Sequence, residues 1–477
     1  MATEAMPKVS VIMPAYNQAA YIGMALESVL DQSYSHWEVI VVNDASPDET
    51  DAVVAQYRDP RIRLIHHERN CGLPAARNSG LRAATGELLL LLDADDCFHV
   101  DKMAAHVAFL CSHPDVGVSY NGRYEMNEAG ETLTLWRPPT TVTLADLVGG
   151  FPFAPSDMVL RREWALRVQL FDESYVTMSE DLDFNGRLAL AGCRFAGIDR
   201  ALNYRRYYPN RVIRNVPARL QAAERALTAL FSHPAYPPSL TPLRKQALAN
   251  ANVVWAYESF IAGLTLQGQQ ALRKAVTLHG ALVAEQAAPL LTFLIDRSIQ
   301  DGGDHERALQ QVMAQLPPEM AWIGESTAWA IGQANLRAGA RAYLWGHAAQ
   351  GEAAWRRAAA NGARVEPAFI GLVVDQLRNI SREVGLPAAK AALHSIKQGL
   401  PLLASPALIR QLEGCYWLNE ALAQGKTGAY GQACHSVLQA FCKDPAYLRN
   451  RGAWATLARS SLSCLASWHK FTRVWAS

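Results

Sequence analysis

The run Leu88-Leu89-Leu90-Leu91-Leu92 passes directly into Asp93-Ala94-Asp95-Asp96. Five consecutive leucines leave no polar face, the pattern of a strand buried on both sides in a parallel sheet covered by helices. Open α/β sheets bind ligands outside the carboxyl ends of their strands. Three carboxylates gathered at such an end repel one another unless a cation holds them, and an all-oxygen donor set suits Mg²⁺ or Mn²⁺. An Asp-x-Asp triplet also arises in solvated surface turns, so its meaning rests on the segments around it.

Those segments alternate. Val9 to Met13 is a β-rich run stopped by Pro14, with Tyr16-Asn17 as turn residues. Ala20 to Gln32 carries Ile22, Leu26, Val29 and Leu30 at helical spacing. Trp37 to Val42 reads as the next strand, closed by Asn43-Asp44-Ala45-Ser46-Pro47. A helix over about 48–57, a strand at Ile62 to His66 and a helix over 72–84 then lead to the leucine strand. Strands alternating with short helices predict βαβ units and a mainly parallel sheet. The polar turns after the first, second and fourth strands should open on one edge.

Bulk properties exclude several classes. A chain of 477 residues suggests more than one domain, and 50% hydrophobic with 19% charged residues suits a globular protein. A net charge of +1 gives no field that would favour nucleic acid. The eight cysteines lack CxxC spacing and are expected to be reduced thiols. No secretory signal and no uncharged apolar run of membrane-spanning length is read, so the expectation is a cytoplasmic protein without a transmembrane span, with peripheral contact at the inner membrane face left open.

Five segments, taken together, carry a specific resemblance. They are Val9 to Asn17, Val41 to Ser46, Asn70-Cys71-Gly72-Leu73-Pro74-Ala75-Ala76-Arg77-Asn78-Ser79-Gly80, Asp93 to Asp96, and Phe171-Asp172-Glu173 followed by Ser179-Glu180-Asp181. In order and spacing they resemble glycosyltransferase family 2 over roughly residues 7–210. The resemblance implies a Rossmann-like GT-A domain at 1–214, with a donor half at about 7–97 and an acceptor half at 98–214. It implies transfer of a sugar from a nucleotide diphosphate donor to a glycan, glycolipid or other hydroxyl acceptor, with inversion and a divalent metal. Bacterial surface polysaccharide or lipopolysaccharide assembly is the usual setting of such proteins.

Roles follow residue by residue from that resemblance. Asp95 is the expected direct ligand of Mn²⁺ or Mg²⁺, with Asp93 orienting metal or ribose, Ala94 between them and Asp96 in support. Asp44 would accept a hydrogen bond from a base imide, which favours uracil or thymine and leaves guanine open; a helix N-cap is the plainer alternative. Pro14, Ala15 and Tyr16 would line the base pocket, and Arg77 would pair with the base or diphosphate. Asp181 is the expected general base, with Glu180 beside it on the acceptor side and Asp183 as helix-start charge. Many relatives carry a histidine after paired arginines downstream. Here Arg205-Arg206 precedes Tyr207-Tyr208, so the metal is expected to be held more loosely or completed by water, with the two arginines on the acceptor side or assisting the diphosphate.

Beyond residue 215 the composition turns to Ala, Leu, Gln and Arg with helical periods, predicting an all-α domain at 215–477. Gly263, Gly268, Leu272, Ala275 share a register with Gly346, Gly351, Trp355, Ala358 and with Gly428, Ala433, Val437, Ala440. The first glycines stand 83 and 82 residues apart. The pattern resembles degenerate tetratricopeptide-like hairpins, with Pro445 at the terminal proline position. Its tryptophans are expected in the core, and the domain is expected to dock a protein partner, the acceptor or a second copy of the chain. The stretch 461–475 is a weak candidate for membrane contact. Two other functions compete: a catalytically silent nucleotide-sugar-binding scaffold, favoured by the tyrosine at 207, and a nucleotidyltransferase, which gives the Glu180-Asp181 segment no role.

Overall fold

The computed structural model describes residues 6–150, 153–175, 178–207, 216–301 and 303–458. The segment 461–475 lies outside them. Ten strands form one sheet: β1 (Val9–Ala15), β2 (Trp37–Asn43), β3 (Ile62–His66), β4 (Leu88–Leu91), β5 (Cys97–Phe98), β6 (Val118–Met126), β7 (Thr132–Trp136), β8 (Thr141–Val142), β9 (Met158–Arg161) and β10 (Phe195–Arg206). Their order is β3-β2-β1-β4-β9-β6-β10-β5, with β7 on β6 and β8 on β10. The first four are parallel, as the alternation predicts. The sheet as a whole is mixed, because β9 runs antiparallel between β4 and β6.

Pro14 does not stop β1. It lies inside the strand, opposite Val42 of β2. Alternation along β1 puts the missing N–H on the β4 side, where pairing has already ended at Ile12, so the ring removes no ladder bond.

Strand side chains alternate between two apolar layers. Val9, Val11, Met13, Leu88 and Leu90 face one, with α1 (Ile22–Leu30), the short α2 (Thr50–Val54) and later α4 (Lys102–Ser112). Ile12, Ile40, Leu89 and Leu91 face the other, covered by α3 (Leu73–Ala83), α6 (Arg162–Arg167) and α7 (Glu180–Leu190). The remaining helix of this half is α5 (Leu144–Gly149).

By internal packing the chain divides between Thr327 and Ala328. The first unit therefore keeps α8 (Val216–Phe231), α9 (Leu243–Ile261), α10 (Thr265–Leu278), α11 (Ala284–Gln300) and α12 (His305–Ala314). Leu227, Leu230 and Ala247 pack with Val148 of α5, and a Cβ on Gly186 of α7 would meet Leu230 Cδ2 at 2.4 Å. Among the described residues the second unit includes α13 (Thr327–Leu344, all but its first residue), α14 (Ala348–Ala360), α15 (Pro367–Glu383), α16 (Leu386–Gly399), α17 (Pro406–Lys426) and α18 (Tyr430–Lys443), with a core that includes Trp355, Phe369, Ile396 and Tyr416. Among the described residues no single helix is long and apolar enough to cross a membrane.

The glycine register marks equivalent joints. Gly263, Gly346 and Gly428 have φ of +75°, +87° and +80° and end α9, α13 and α17. In each case the next N–H bonds the carbonyl five residues back, from Leu264 to Ser259, His347 to Ala342 and Ala429 to Gln424. Added Cβ atoms on Gly268 and Gly351 would meet Phe260 and Tyr343 at 2.5 and 2.6 Å. In the third hairpin the sizes are exchanged, with Gly425 at the aromatic position and Ala433 at the glycine position. The tryptophans divide: Trp255 and Trp355 are buried, whereas Trp322, Trp329 and Trp454 are exposed.

Gly80 shows how tightly α3 rides on the sheet, since a Cβ there would lie 2.5 Å from Ile12 Cγ2 in the central strand. Overpacking of this kind costs about 1–3 kcal/mol, against up to about 1 kcal/mol gained in helix propensity. Gly80→Ala is expected to lower the denaturant midpoint, and an unchanged or higher midpoint would refute this packing.

Candidate active site

The carboxyl ends of β1, β2 and β4 open on one edge, and a cavity of about 350 Å³ lies there. It is lined by Pro14 and Ala15 at the end of β1, Tyr16 and Gln18 after it, Asp44 after β2, Asn70, Gly72, Leu73 and Ala76 from the entry to α3, and Asp93, Ala94 and Asp95 after β4. Each of these sheet turns is sharp. Asn17 and Ala45 adopt φ of +58° and +56°, the left-handed region that non-glycine residues seldom occupy. Strain of this sort concentrates at functional edges.

Asp44 is buried at 3% exposure. Its Oδ1 accepts from Cys71 N–H at 2.8 Å and lies 2.6 Å from His67 Nδ1, and its Oδ2 accepts from Gly72 N–H at 2.8 Å. It therefore caps the entry to α3. The start of α2 is served by Asp48, whose Oδ1 accepts from Thr50 N–H. Gly72 has φ +90° at this point, so the turn requires glycine.

Along α3 the motif residues reach across to Phe171, Glu173 and Glu180, around the start of α7. Arg77, 1% exposed, donates to Asp93 Oδ1 at 2.9 Å and to Glu180 Oε1 at 2.6 Å. Asn78 donates to Phe171 O and accepts from Phe171 N–H, both at 2.9 Å, and donates to Glu173 Oε1 at 2.8 Å. The arginine expected at the base or diphosphate is thus engaged behind the cavity, where it joins the two halves.

Glu180 and Asp181 open α7. Ser179 precedes them with φ +73°. Burial and the adjacent Asp181 push Glu180 up to about 7, with Arg77 pulling the other way. Burial likewise raises Asp181, opposed by Arg77. Asp181 Oδ1 accepts from Leu182 N–H at 2.8 Å. Asp183 pairs with Arg187 one turn on, at 2.7 Å.

The downstream arginines differ from each other. Arg206, 1% exposed, donates to Asp95 O, Asn127 O and Glu128 O, and its own N–H donates to Asp96 Oδ1. It clamps the backbone of the acidic turn. Burial lowers the Arg205 guanidinium, but Tyr207, Asp96 and Asp157 outweigh it and hold the group above its ordinary value. Tyr207 reaches Glu125 Oε1 at 3.4 Å, and Tyr208 lies outside the described residues.

Several supporting residues stand in none of the motifs. Ser156 Oγ accepts from Asp93 N–H at 3.3 Å. Asp157 beside it is held by Arg123 at 2.8 Å and by Asn203 at 2.9 Å. Asn203 Oδ1 accepts from Asn121, whose Oδ1 accepts from Lys102 Nζ at 2.6 Å and faces His106 Nε2 at 2.7 Å. Burial lowers Lys102 to about 7, against the pull of Asp157 and Asp96. Asp157 interrupts an apolar run, the one signal by which sequence alone could have found it.

Two stability measurements test these contacts. Arg77→Met leaves Glu180 buried without its cation and is expected to cost about 3–5 kcal/mol. Arg82→Met, whose pair with Glu173 is exposed, should cost under about 1 kcal/mol. Equal losses would contradict the assigned burial. For Lys102 the folded pKa is below the unfolded one, so the unfolded chain binds the extra proton above pH 7 and stability gains with rising pH. Between pH 7 and 9 the wild type should gain stability relative to Lys102→Met in urea titrations; parallel curves would disprove the shift.

Comparison with known proteins assigns residues 10–168 to a family model, Glycosyl transferase family 2. TuaG of Bacillus subtilis (strain 168), named for a glycosyltransferase role in teichuronic acid biosynthesis, is 34% identical over 167 residues, covering 34% of this chain and 66% of TuaG. WfgD of Escherichia coli, named UDP-Glc:alpha-D-GlcNAc-diphosphoundecaprenol beta-1,3-glucosyltransferase, is 32% identical over 140 residues, covering 29% of this chain and 54% of WfgD. The chain thus spans less than two thirds of either relative. Among solved structures, S. aureus TarS gives a TM-score of 0.44 at 20% identity, over 67% of this chain and 55% of that one. PcManGT of Pyrobaculum calidifontis, solved with GDP-Man and Mn²⁺, gives 0.43 at 21% identity, over 68% and 88%.

Proposed function

Through residues 10–168 this chain belongs to glycosyltransferase family 2, and from that premise we propose that it moves a sugar from a nucleoside diphosphate donor to a hydroxyl acceptor, with inversion at the anomeric carbon. The observation that carries this reading is the link between two acidic groups. Asp93, on the cavity that also holds Pro14, Ala15, Tyr16, Asp44, Ala94 and Asp95, is joined through Arg77 to Glu180, next to Asp181. UDP- or dTDP-sugars are the favoured donors, since Asp44 lines the cavity as an acceptor for a ring N–H.

The donor set of the acidic turn fits a divalent cation, because Asp93 and Asp95 bring hard carboxylate oxygens to the cavity wall. Asp95 and Asp93 would hold Mn²⁺ or Mg²⁺, which supplies positive charge against the leaving diphosphate. The chain's own groups do the rest. Asp181 takes the proton of the acceptor hydroxyl as its oxygen forms the new bond to the anomeric carbon and the bond to the diphosphate breaks. The raised position of Asp181 brings its basicity closer to neutrality, where a general base is most effective. Arg77 keeps Glu180 beside it in place, and Arg206 holds the backbone of Asp95. The names of the two relatives support an acceptor in bacterial surface glycan assembly; action from the cytoplasmic side is part of the same proposal. The division between a domain at 1–214 and a helical domain at 215–477 remains part of this proposal, with the helical part as the partner- or acceptor-docking element.

Calorimetry with UDP, dTDP and GDP, with and without Mn²⁺, should show metal-dependent binding of one nucleotide that Asp95→Ala abolishes. Asp181→Asn should keep that binding and lose turnover by about 10²–10⁴-fold. In the wild type the acid limb of kcat should lie above the ordinary aspartate value of 3.8, because protonating a raised Asp181 removes the base. Binding in the wild type without any turnover would favour the silent scaffold; binding of no nucleotide would sink the donor site.

A further inference from the structure

One residue that stands in none of the sequence motifs joins two of them in space. His67 follows β3, with its Nδ1 2.6 Å from Asp44 Oδ1 and its Nε2 2.8 Å from Ser79 Oγ on α3. An imidazole carrying its proton on Nδ1 donates to the carboxylate and accepts the serine hydroxyl. Cys71 and Gly72 N–H groups bring two more donors to the same carboxylate. A carboxylate offers about four acceptor positions. Oδ1 uses two of them and Oδ2 one, which leaves a single position on Oδ2. Asp44 and Gly72 both line the cavity, so a donor arriving there meets this carboxylate.

We propose that His67, braced by Ser79, is a positioning and specificity-determining residue for the donor nucleotide: it fixes the Asp44 carboxylate so that one acceptor remains for a base with a ring N–H. The inference rests on the nucleotide-sugar reading above. A terminal carboxylate torsion is broad and roughly two-fold. The two backbone donors come from one turn and leave that torsion a way to relax, whereas His67 approaches from another element and closes it. Uracil, thymine and guanine present a ring N–H to such a site. Cytosine presents a ring acceptor there, and two facing acceptors repel.

The experiment is equilibrium binding of nucleoside diphosphates to the full chain with Mn²⁺, alongside thermal melting. The probes are CDP and whichever of UDP, dTDP or GDP the wild type binds best. His67→Ala should weaken the preferred nucleotide by about 10-fold or more, the scale of one hydrogen bond to a charged group. CDP should change little, so discrimination narrows. His67→Asn, whose amide N–H can stand in for Nδ1–H, should restore affinity to within about 3-fold, and Ser79→Ala should weaken it modestly. An unchanged ratio of the two nucleotides in His67→Ala overturns the proposal. So does a His67→Asn variant no better than alanine while melting like the wild type. Should the alanine variant not fold, the asparagine and Ser79→Ala variants decide by the same ratio. Failure of the wild type to bind any of the four nucleotides would instead remove the nucleotide reading itself.

Discussion

A buried guanidinium ties the halves of the sheet domain together, and the site depends on it. Arg77 spends its charge on Asp93 at one side and Glu180 at the other, with the Phe171 ring 5.5 Å away. Removing three charges from water is costly unless short, well-aimed bonds replace the lost hydration. Here two charge-assisted bonds do so. One positive charge cannot also neutralise Asp181, and this explains why burial can raise both acids of the Glu180-Asp181 pair despite the arginine beside them. The same group that fixes the turn at Asp93 therefore sets the electrostatics of the Glu180-Asp181 pair.

Arg77 is in turn only as well placed as α3. That helix is entered through Gly72, whose N–H and that of Cys71 end on Asp44. It is pressed against β1 at Gly80, where no side chain fits. From the end of β2 to the start of α7 there is one continuous path of contacts: Asp44, the turn at Cys71-Gly72, Arg77 and Asn78, then Phe171 and Glu180. The spacing Gly72, Arg77, Asn78, Gly80 follows from this path. Glycine is needed where the turn goes left-handed and where the helix touches the strand, and the two polar residues between them cross to the acceptor half.

Local signals were legible in the sequence, and contacts between distant segments were not. The leucine run and the β-rich segments define β1, β2 and β4 because burial on both faces imposes a short apolar run, whereas β3, half-buried at the sheet's edge, shows as a short β-rich run. Gly263, Gly346 and Gly428 were legible for a similar reason, since a left-handed joint demands glycine. Gly385, with φ +109°, ends the intervening helix α15 and falls outside the 82–83-residue spacing, so the register catches alternate hairpins only. The antiparallel strand β9 was hidden, because four residues carry no period and its neighbours in space are remote in sequence. His67 escaped for the same reason, with its partner 23 residues away. Arg206 shows the converse. Its position beside Arg205 reads as a phosphate ligand, yet β10 delivers it to three backbone carbonyls.

The polar groups beneath the acidic turn raise a different question, since an apolar core would be cheaper. Lys102, His106, Asn121, Asn203, Asp157 and Arg123 form a connected, buried chain that ends next to Ser156, under Asp93. Apolar packing fills space but resists small sliding motions only weakly, because its contacts are non-directional. Hydrogen bonds in a low-dielectric interior are directional and expensive to break. On the proposed reading, in which these carboxylates hold a cation and a diphosphate, fixed oxygen positions gain from such a base. On this view the lowered Lys102 records the energetic cost of rigidity under Asp93, and that cost falls where the strand ends and the sheet's own ladder can no longer hold the chain.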